Sequence, residues 1–515
     1  MKTFHILTFG CQMNYADTAR IKTILLNCWF SYKSKQEDAD IIILVTCSVR
    51  QKAEDKITWL LKDIKKNQKI WITGCMIQHN IRNNKLTNKK LPQNLKIGNF
   101  WWIINRDNYE ILWSTTSEIN KKKITEDFNK ITEDWSASIK NKNRANLLKL
   151  NKSSVIPINN AFNPQFYNLQ KTFDNLELFR RVDDTWFLPK ILEKIWYNIS
   201  YEDELLNEYE KIIPKNENTS MNINHKKTAY VPISTWCNQF CSYCIVPYAR
   251  GLERNFKVEE IIKECKEHLQ NGAEELILLW QIVNKHPKFV EIVKEVLKLN
   301  WLRRLRYTSP YPTYYSDELL KLHETEDKLC PHIHIPFQSW SDKILKSMNR
   351  WYNSKQAFEF VNKIKNLKRD ISITTDIIVW FPDETEEDFE KTLKLIEHGK
   401  FDMIYIWIYS TRPWTYADKN LKDNISPKIK QQRREKLNEL LNKISKENNE
   451  NEVWNNRLVL INSELWILNS EFTYQWYTDN MKQIIINSDK KMKEWDFVNT
   501  KIIKWAVFKL YWKIL

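Results

Sequence analysis

Glycine is scarce in this sequence: the chain has 6 among 515 residues, whereas ordinary usage of about 7 per cent would give about 36. Glycine normally occupies turns whose backbone needs a positive φ. Tryptophan, by contrast, occurs 23 times, and one of these tryptophans directly follows Pro413, where such a turn is expected. Because a bulky side chain resists a positive φ, the imbalance between the two residue types needs an explanation.

Several other features are missing, and each absence excludes a class of protein. No apolar run reaches the roughly 18 residues of a membrane span, and the chain starts with a predicted strand, so we expect no signal peptide. The 9 cysteines are an odd number, which argues against a disulfide framework and for a reducing compartment. No P-loop and no Ser/His/Asp run is present. These absences predict a cytoplasmic protein that does not contact membranes.

The composition allows several folded domains and a polyanionic partner. A chain of 515 residues with 42% hydrophobic residues has room for three or four domains with real cores. Its 80 basic and 64 acidic residues give a net charge of +16, which suits a partner such as tRNA. An AT-rich genome, which raises the Lys, Asn and Ile content of any protein, is the alternative explanation.

Strand and helix patterns alternate along most of the chain and predict an α/β protein. Five parts follow in order: a doubly wound parallel α/β domain (1–110), a Lys- and Asn-rich insertion or linker (111–225), a partial (β/α)6 barrel (226–415), a helical connector (416–450) and a small β-barrel (451–515). Apolar runs predict strands at 3–8 and 41–46, among others. Helical patterns cover residues 16–26, 53–64, 258–269 and 386–398 and, within the insertion, residues 176–199. Ligand-binding groups of such parallel sheets lie on the loops after the strands.

One of these loops contains Cys237, Cys241 and Cys244 in a C-x3-C-x2-C spacing. Three thiolates this close can bind three irons of a 4Fe-4S cluster and leave the fourth iron without a protein ligand. An open position on a bound metal is typical of a reactive centre, whereas a structural zinc site would need a fourth Cys or His nearby. The spacing resembles that of radical S-adenosylmethionine (SAM) enzymes, in which the open iron binds SAM. Zinc or unligated thiols are the alternative.

Three more cysteines each follow a predicted strand of the first hundred residues: Cys11, Cys47 and Cys75. Because the carboxyl ends of parallel strands meet at one edge of a sheet, we expect these cysteines to lie close together. Three small buried apolar side chains are the alternative. The remaining three cysteines lie within helical patterns or before a proline, and we interpret them as structural: Cys28, Cys265 and Cys330.

The motifs around these cysteines resemble those of the methylthiotransferases, a family of radical SAM enzymes. The resemblance rests on Gly10-Cys11-Gln12-Met13-Asn14, on Thr46-Cys47-Ser48-Val49-Arg50, on Gly74-Cys75 and on the run from Cys244 to Gly251. Within the family, Gln12-Met13-Asn14 and Met348-Asn349-Arg350 resemble the MiaB branch. Other branches have Lys-Val-Asn or a Pro-Lys-Asn-like run after the first cysteine. The run from Tyr474 to Asn480 resembles a strand of the TRAM domain, an OB-like barrel that binds RNA.

The resemblance implies two 4Fe-4S clusters, one on Cys11, Cys47 and Cys75 and a SAM-binding one on Cys237, Cys241 and Cys244. It implies that SAM is cleaved to methionine and a 5′-deoxyadenosyl radical, which removes the hydrogen from carbon 2 of an N6-isopentenylated adenosine beside the anticodon. A methylated sulfur from the other cluster then joins that carbon. The implied partners are tRNA, an electron donor such as flavodoxin or ferredoxin, and iron–sulfur assembly proteins. The implied enzyme is a monomer.

Five polar residues near predicted strand ends are candidates to contact SAM or the nucleotide: Gln281, Asn284, Gln338, Ser339 and Asp376. Hydrogen bonds that cap loops and turns are the alternative role for each of them. Arg250, just after the cysteine loop, is a candidate to bind a carboxylate or phosphate. An ordinary surface arginine is the equal alternative.

Methylthiotransferases have glycine at positions that match six of the tryptophans: Trp236, Trp280, Trp340, Trp351, Trp380 and Trp414. One hypothesis explains both anomalies of composition: the gene reads UGA as glycine, and the sequence is written with a code in which UGA means tryptophan. The alternative is a tryptophan-rich protein whose indoles stack on RNA bases. We assign no stacking role to these six side chains.

Two other functions stay open at this point. The same chemistry could act on another modified tRNA adenosine or on an aspartate of a ribosomal protein, although Gln12-Met13-Asn14 argues against the ribosomal branch. Alternatively, the chain could be an RNA-binding protein whose clusters are structural or redox-sensing. Consumption of SAM by the reduced protein distinguishes the enzyme from the binding protein.

Overall fold

The computed structural model of the chain describes residues 2–47, 60–61, 64–65, 67–75, 101–105, 110–114, 155–157, 176–179, 188, 227–235, 237–247, 253–412, 415–461, 463–468, 471–488, 497–506 and 509–514. The chain divides into two compact units: Met1–Gly10, Ile24–Tyr209 and Tyr248–Gly251 form the first, and Cys11–Thr23, Glu210–Pro247 and Leu252–Leu515 form the second. Within the described ranges, no helix combines the length and apolar character that a membrane crossing needs. The predicted domain boundaries stay predictions.

Parallel strands form the main sheet of the first unit. They are β1 (Thr3–Thr8), β2 (Ser31–Tyr32), β3 (Ile41–Thr46), β4 (Lys69–Gly74) and β8 (Leu176–Phe179), in the order β2-β1-β3-β4-β8. Every residue of β3 is buried, as expected for a parallel strand that is covered on both faces. The parallel amino-terminal sheet that the sequence predicts is therefore confirmed.

Three short strands form a separate antiparallel sheet in the first unit. They are β5 (Trp101–Asn105), β6 (Glu110–Ser114) and β7 (Val155–Pro157), in the order β6-β5-β7. Helix α1 (Gln12–Asn27) contains the predicted helix at 16–26, and the boundary between the two units falls inside it.

The prediction of a helix over residues 176–199 is wrong at its start. Leu176–Phe179 is strand β8, whose Leu176 and Phe179 pair with Ile70 and Ile72 of β4. A short apolar run fits a strand or a helix equally well, and pairing with a sheet edge decides between them. Leu188 is helical; the rest of that prediction, and most of a predicted helix at 53–64, lies outside the described residues.

Six parallel strands alternate with helices in the second unit. They are β9 (Thr228–Pro232), β12 (Glu275–Leu279), β13 (Arg304–Tyr307), β14 (His332–His334), β15 (Ser372–Val379) and β16 (Met403–Ile408). They form two sheets, β13-β12-β9 and β14-β15-β16, and a parallel bridge between Leu305 and Leu329 lies between β13 and the segment before β14. A short antiparallel pair, β10 (Ser234–Thr235) and β11 (Arg254–Asn255), flanks the cysteine loop. The predicted six strand–helix units are confirmed.

The helices described in full in this unit are α2 (Val258–Gln270), α3 (Phe289–Leu297), α4 (Asp317–Thr325), α5 (Asp342–Ser347), α6 (Ser354–Lys365), α7 (Glu386–Gly399), α8 (Tyr416–Asn420) and α9 (Pro427–Glu450). Polar side chains cap their starts: Asn353 accepts a hydrogen bond at α6 and Thr385 at α7, each within a capping box. Pro427 stands in the first turn of α9, where its missing N–H costs nothing.

The main core of the second unit lies between the β14-β15-β16 sheet and the helices packed on it. Ile333, Ile377 and Val379 of the strands pack in one cluster with Val361 of α6 and Phe389 of α7. The long, polar helix α9 joins this core through a narrow apolar stripe: Leu437, Leu441 and Ile444.

Six strands at the carboxyl end form a mostly antiparallel sheet. They are β17 (Asn456–Leu460), β18 (Ser463–Leu468), β19 (Glu471–Tyr477), β20 (Gln483–Ser488), β21 (Phe497–Ala506) and β22 (Lys509–Ile514), in the order β17-β21-β22-β20-β19-β18. An antiparallel bridge between Val459 and Thr478 brings β17 back to the end of β19. The β-rich runs that the sequence predicts here form strands, and β18 is an additional one.

Charged residues at the amino ends of the parallel strands hold this carboxyl-terminal sheet. Glu275, which begins β12, lies 3.0 Å from Arg304 and 2.9 Å from Arg306. Arg304 also donates to the carbonyl of Leu458 at 3.2 Å, and Arg306 to that of Thr478 at 2.9 Å. The three side chains are almost fully buried, so one ionic network joins the two β structures.

Candidate active site

The loop with Cys237, Cys241 and Cys244 follows β10 at the carboxyl end of β9, as predicted. Cys237 and Cys241 are buried, and Cys244 is partly buried. Burial raises the pKa of Cys237 to about 12, and the neighbouring Cys241 adds to this shift. Burial also raises the pKa of Cys244, with Cys241 and Cys237 as the next contributors. Cys241 is therefore close enough to Cys237 and Cys244 to influence the ionisation of those two thiols.

This donor set fits an iron–sulfur cluster. Thiols whose proton is held by burial lose it readily only to a cation that stabilises the thiolate, which bound iron does. Gln239, on the same loop, buries both polar atoms of its amide with no hydrogen-bond partner in the described part of the chain. Among the described residues, the three loop thiols included, no three His, Cys, Asp or Glu side chains stand together at metal-binding geometry, so the fit rests on the chemistry and spacing of the thiols.

The turn after α5 holds the cysteine loop from one side. The amide of Ser242 donates to the carbonyl of Met348 at 3.0 Å, and its hydroxyl donates to the carbonyl of Ser347 at 2.7 Å. The side chain of Asn349 donates to the carbonyl of Phe240 at 2.8 Å. Asn349 has a φ of 56°, a conformation that asparagine tolerates better than most residues. These bonds fix the backbone between Cys237 and Cys244.

A second set of bonds holds the start of the same loop. The amide of Asn238 donates to the carboxylate of Glu253 at 3.3 Å, and the amide of Glu253 donates to the side-chain oxygen of Asn238 at 3.1 Å. Lys285 lies 2.8 Å from the Glu253 carboxylate and neutralises it. The loop is thus held from β11 as well as from α5.

The polar candidates for SAM binding differ in how much of each side chain is already engaged. Both polar atoms of the buried Asn284 amide bond to the backbone of Tyr311, at 2.9 and 2.8 Å, which favours its alternative role as a loop brace. Gln281 buries its side-chain oxygen with no partner in the described residues. Gln338 has a φ of 72° and pairs through its backbone with Asp376 and Ile378.

Asp376 lies in the middle of β15 rather than at its end. Its carboxylate accepts hydrogen bonds from the ring of His334, at 3.1 Å, and from the indole of Trp407, at 2.8 Å. Ser339 is buried and accepts a bond from the amide of Ser341. Arg250 lies outside the described residues, as do Trp236 and Trp414.

Two of the three amino-terminal cysteines follow directly paired strands. Thr46 and Gly74 are partners at the ends of β3 and β4, so Cys47 and Cys75 leave neighbouring strands at the same edge, and both are buried. Gly74 has a φ of 107°, and a Cβ there would lie 2.2 Å from the carbonyl oxygen of Thr46. Only glycine fits that position, and it brings Cys75 close to β3.

Cys11 belongs to the second unit and is exposed. Its amide donates to the side-chain oxygen of Asn14 at 3.2 Å at the start of α1. That Cys11 joins Cys47 and Cys75 stays a prediction. The three cysteines interpreted as structural are buried, and burial raises the pKa of each thiol, that of Cys28 to about 12. No disulfide joins any of the nine cysteines, all of which lie in described residues.

Arg350 was not among the site residues predicted from the sequence. Its guanidinium lies 3.6 Å from the sulfur of Cys241, although 109 residues separate the two in the chain. In the sequence, the run Met348-Asn349-Arg350 indicated only the branch of the family. Gln239 was missed as well, because nothing in a cysteine spacing marks the residue between two ligands.

Known proteins resemble this chain along its length. The radical SAM superfamily profile matches residues 231–396, and the profile described as uncharacterized protein family UPF0004 matches residues 3–98. Proteins named tRNA-2-methylthio-N(6)-dimethylallyladenosine synthase are similar along the whole chain. The one from Clostridium perfringens is 30% identical over 527 residues, covering 100% of this chain and 98% of that protein. The one from Clostridium tetani is 31% identical over 523 residues, covering 99% and 95%.

Among solved structures, the cobalamin-dependent radical SAM enzyme OxsB is similar with a TM-score of 0.45 and 11% identity, over 84% of this chain and 56% of that one. A likeness of that size adds nothing to the end-to-end sequence matches.

Proposed function

The chain belongs to the tRNA-2-methylthio-N6-dimethylallyladenosine synthases, which are radical SAM methylthiotransferases, and we propose that it modifies carbon 2 of an N6-isopentenylated adenosine beside the anticodon of tRNA. It is an enzyme that uses SAM and 4Fe-4S clusters. The observation that carries the proposal is the loop of three interacting thiols at the carboxyl end of parallel strands, in a chain that matches these enzymes from end to end.

Two ligand sets would hold the clusters. Cys237, Cys241 and Cys244 would hold the one that binds SAM, and Cys11, Cys47 and Cys75 the auxiliary one. When bound, the clusters and SAM supply the electron, the hydrogen-abstracting radical and the sulfur. The protein chain itself contributes the positions of these reacting groups.

The residues around the SAM-binding loop keep its geometry and exclude water. Glu253 and Asn349 fix the loop backbone from two sides. The buried side chains of Phe337, Trp340 and Tyr352 belong to the same hydrophobic cluster as Cys237. In that dry environment, the unpartnered oxygen of Gln281 is the strongest remaining candidate to bind a polar group of SAM. Gln338 and Asp376 are the next candidates.

RNA binding is the role that we propose for the carboxyl-terminal sheet, as a TRAM-like barrel. The sheet has its own core, which includes Val459, Ile484 and Ile502. The strand that resembles the TRAM recognition strand ends in Tyr477, whose ring is exposed. A net charge of +16 supports the same partner. We further propose a cytoplasmic monomer that receives electrons from a flavodoxin or ferredoxin, in line with nine cysteines that form no disulfide.

The test compares the wild type with a triple variant, Cys11/Cys47/Cys75→Ala, both reconstituted without oxygen. We expect about eight irons per wild-type chain and about four in the variant, one 4Fe-4S cluster having been lost. With dithionite, SAM and isopentenylated tRNA, both proteins should release 5′-deoxyadenosine. Mass spectrometry of the tRNA nucleosides should find the methylthio group with the wild type alone.

Three outcomes would contradict the proposal. If the reduced wild type binds tRNA and consumes no SAM, the protein is an RNA-binding protein rather than an enzyme. If cells lacking the gene keep their 2-methylthioadenosines while a ribosomal protein loses a methylthio group, the substrate is wrong. If the triple variant retains eight irons, the proposed ligands of the auxiliary cluster are wrong.

A further inference from the structure

The guanidinium of Arg350 contacts a cysteine of the SAM-binding loop. Its Nη1 lies 3.6 Å from the sulfur of Cys241, and its Nη2 donates to the carbonyl of Pro336 at 2.7 Å. The guanidinium carbon lies 4.4 Å from the ring centre of Tyr311 and 5.2 Å from that of Tyr352. The carbonyl and the two rings fix the orientation of the fork, so one of its N–H groups is aimed at the sulfur.

The charge balance of this arginine also points to the sulfur. Within the described part of the chain, no carboxylate lies within ion-pair distance of Arg350, although the side chain is partly buried. Buried cations are normally paired with an anion. The sulfur of Cys241 becomes a thiolate anion when it binds iron. Because it contacts the guanidinium of Arg350, it is then the anion that pairs with this cation. None of these contacts uses a tryptophan side chain.

We propose that Arg350 is a positioning residue that donates an N–H···S hydrogen bond to Cys241 and thereby raises the reduction potential of the SAM-binding cluster. The proposal rests on the function proposed above. A reduced cluster carries one more negative charge than an oxidised one, so a fixed cation and donor at a ligand sulfur stabilise the reduced form more. In this proposal Arg350 acts through Cys241.

The experiment measures the midpoint potential of this cluster by redox titration followed by electron paramagnetic resonance, without tRNA or turnover. The Cys11/Cys47/Cys75→Ala background leaves one cluster per chain, so the signal has one source. We expect R350M to lower the potential by about 59 mV, which is a tenfold change in the equilibrium between reduced and oxidised cluster. R350K, which keeps the charge and loses the fork, should shift the potential by less.

Arg369 provides the matched control. It is also partly buried, and its guanidinium donates to the backbone carbonyls of His323, Glu326 and Leu329 rather than to a sulfur. R369K should leave the potential unchanged. A potential in R350M equal to that of the background overturns the proposal. Loss of iron from both R350M and R350K, with iron retained in R369K, also overturns it, because Arg350 would then hold the loop rather than tune the cluster.

The result of this redox experiment can be distinguished from the result for the proposed function. A shifted potential in a protein that makes no methylthio product on tRNA would support the role of Arg350 and contradict the substrate. An unshifted potential in a protein that does make this product would contradict the role of Arg350 and support the proposed substrate.

A second inference comes from the backbone. Among the described residues, eleven that are not glycine have a positive φ, and four of these are tryptophans: Trp29, Trp301, Trp380 and Trp454. A positive φ is uncommon outside glycine, asparagine and aspartate, and a bulky residue there is an outlier. Trp29, Trp301 and Trp454 are about two-thirds exposed, so little burial of the indole offsets the strain; the ring of Trp454 also lies 5.3 Å from the ammonium of Lys501.

Two helix ends make the comparison direct. After α1, the amide of Phe30 donates to Leu25 and that of Trp29 to Leu26, at 3.0 and 3.1 Å. After α2, the amide of Ala273 donates to His268 and that of Gly272 to Leu269, both at 3.0 Å. This pair of bonds is the Schellman motif, whose left-handed position normally holds glycine. Gly272 occupies it in α2, and Trp29 occupies the same position in α1.

We infer that these four positions are glycine in the protein that the source organism makes, as UGA decoded as glycine would produce. Trp380 was one of the six positions named from the sequence, and it also buries an indole N–H with no partner in the described residues. The other three are new. Trp280, Trp340 and Trp351 lack a positive φ, so the backbone gives no support for glycine there.

Tandem mass spectrometry of peptides from the native protein decides the matter, with glycine expected at 29, 301, 380 and 454 and tryptophan at any of them overturning the inference for that position. A second measurement uses the protein expressed with the standard genetic code, which carries tryptophan at position 29. It compares the two matched turns, at Trp29 after α1 and at Gly272 after α2. W29G should raise Tm by about 2 °C or more, and G272W should lower it. A W29G variant no more stable than its parent would remove the physical basis of the inference.

Discussion

The two ends of the parallel strands in the second unit differ in chemistry. At the amino ends, Glu275, Arg304 and Arg306 form a buried network of paired charges that reaches the carboxyl-terminal sheet. At the carboxyl ends, the loops carry thiols with raised pKa values and buried amide groups without partners. Three residues that follow these strands, Ser309, Gln338 and Trp380, have a positive φ.

The difference lies in the charges and the thiols: paired charges stabilise the amino ends, whereas the carboxyl ends carry the candidate ligands. Buried polar atoms without a partner among the described residues occur at both ends, for example on Arg304 and Gln281. Positive φ values also occur at both ends, for example at Lys400 before β16 and at Gln338 after β14. Barrel enzymes generally place chemistry at the carboxyl end and stabilising contacts at the other. Substitutions at the two ends should therefore separate activity from stability.

Removal of one loop cysteine should have the largest effect. C241A should lose the SAM-binding cluster, with iron falling from about eight to about four per chain, and methylthio transfer should become undetectable. Its matched control is C330A, since Cys330 is also buried but stands at the amino end, before β14. C330A should keep its iron and activity. Equal iron loss in both variants would show that any buried cysteine disturbs the barrel.

At the other end, E275Q should unfold the protein more easily and spare the chemistry. Glutamine leaves Arg304 and Arg306 buried beside a neutral group, a change that typically costs about 3–5 kcal/mol. E274Q is the control, because Glu274 pairs with Lys227 and Arg303 at the surface and should cost under ~1 kcal/mol. Urea unfolding measures both, and activity per folded molecule should be unchanged. A loss of activity in folded E275Q would contradict the division between the ends.

The same network should make stability depend on pH. Burial by itself raises the pKa of Glu275, but Arg304 and Arg306 outweigh it and lower the pKa from 4.5 to about 2. Because the fold favours the ionised form, its contribution is complete above about pH 4.5 and is lost as the pH falls from there towards 2. The loss amounts to about 3 kcal/mol.

Other carboxylates titrate in the same range, so the measurement is a difference. The free energy of unfolding of the wild type minus that of E275Q, followed from pH 6 to pH 3, should shrink as the pH falls. A difference that stays constant over this range would mean that Glu275 is not ionised in the folded protein.

The smallest predicted effect concerns the turn that holds the cysteine loop. N349A loses the bond to the carbonyl of Phe240 and places alanine at a φ of 56°, which together should cost about 1–2 kcal/mol. N349G loses the bond alone and should cost less. The rate of iron loss to a chelator should follow the same order. Equal rates in both variants and the wild type would show that this turn does not hold the loop.

Much of the fold was predictable from the sequence because its signals are local. Continuous apolar runs and turn residues located β1 and β3 at their observed bounds, and helical periodicity located α2 and α7 to within one residue. The same reasoning failed at 176–199, where the short run Leu176-Glu177-Leu178-Phe179 became strand β8. Nothing within that run shows that the edge of β4 is available for pairing.

The candidate site also has a part that was predictable from the sequence and a part that was not. A spacing of a few residues marks Cys237, Cys241 and Cys244 as a ligand set, because residues this close in the chain must be close in space. Asn284 and Asp376 were candidates through their place near strand ends, but only the structure shows that Asn284 braces Tyr311 and that Asp376 accepts bonds from His334.

The sequence by itself therefore determined the thiol loop, the family motifs and the order of strands and helices, since each depends on neighbours along the chain. The tertiary structure decided which distant groups support the loop. Arg350 reaches Cys241 because α5 ends beside the loop that follows β9, and Glu275 meets two arginines because β12 and β13 are adjacent. Such contacts depend on how strands pair, and pairing is a property of the whole fold rather than of any segment.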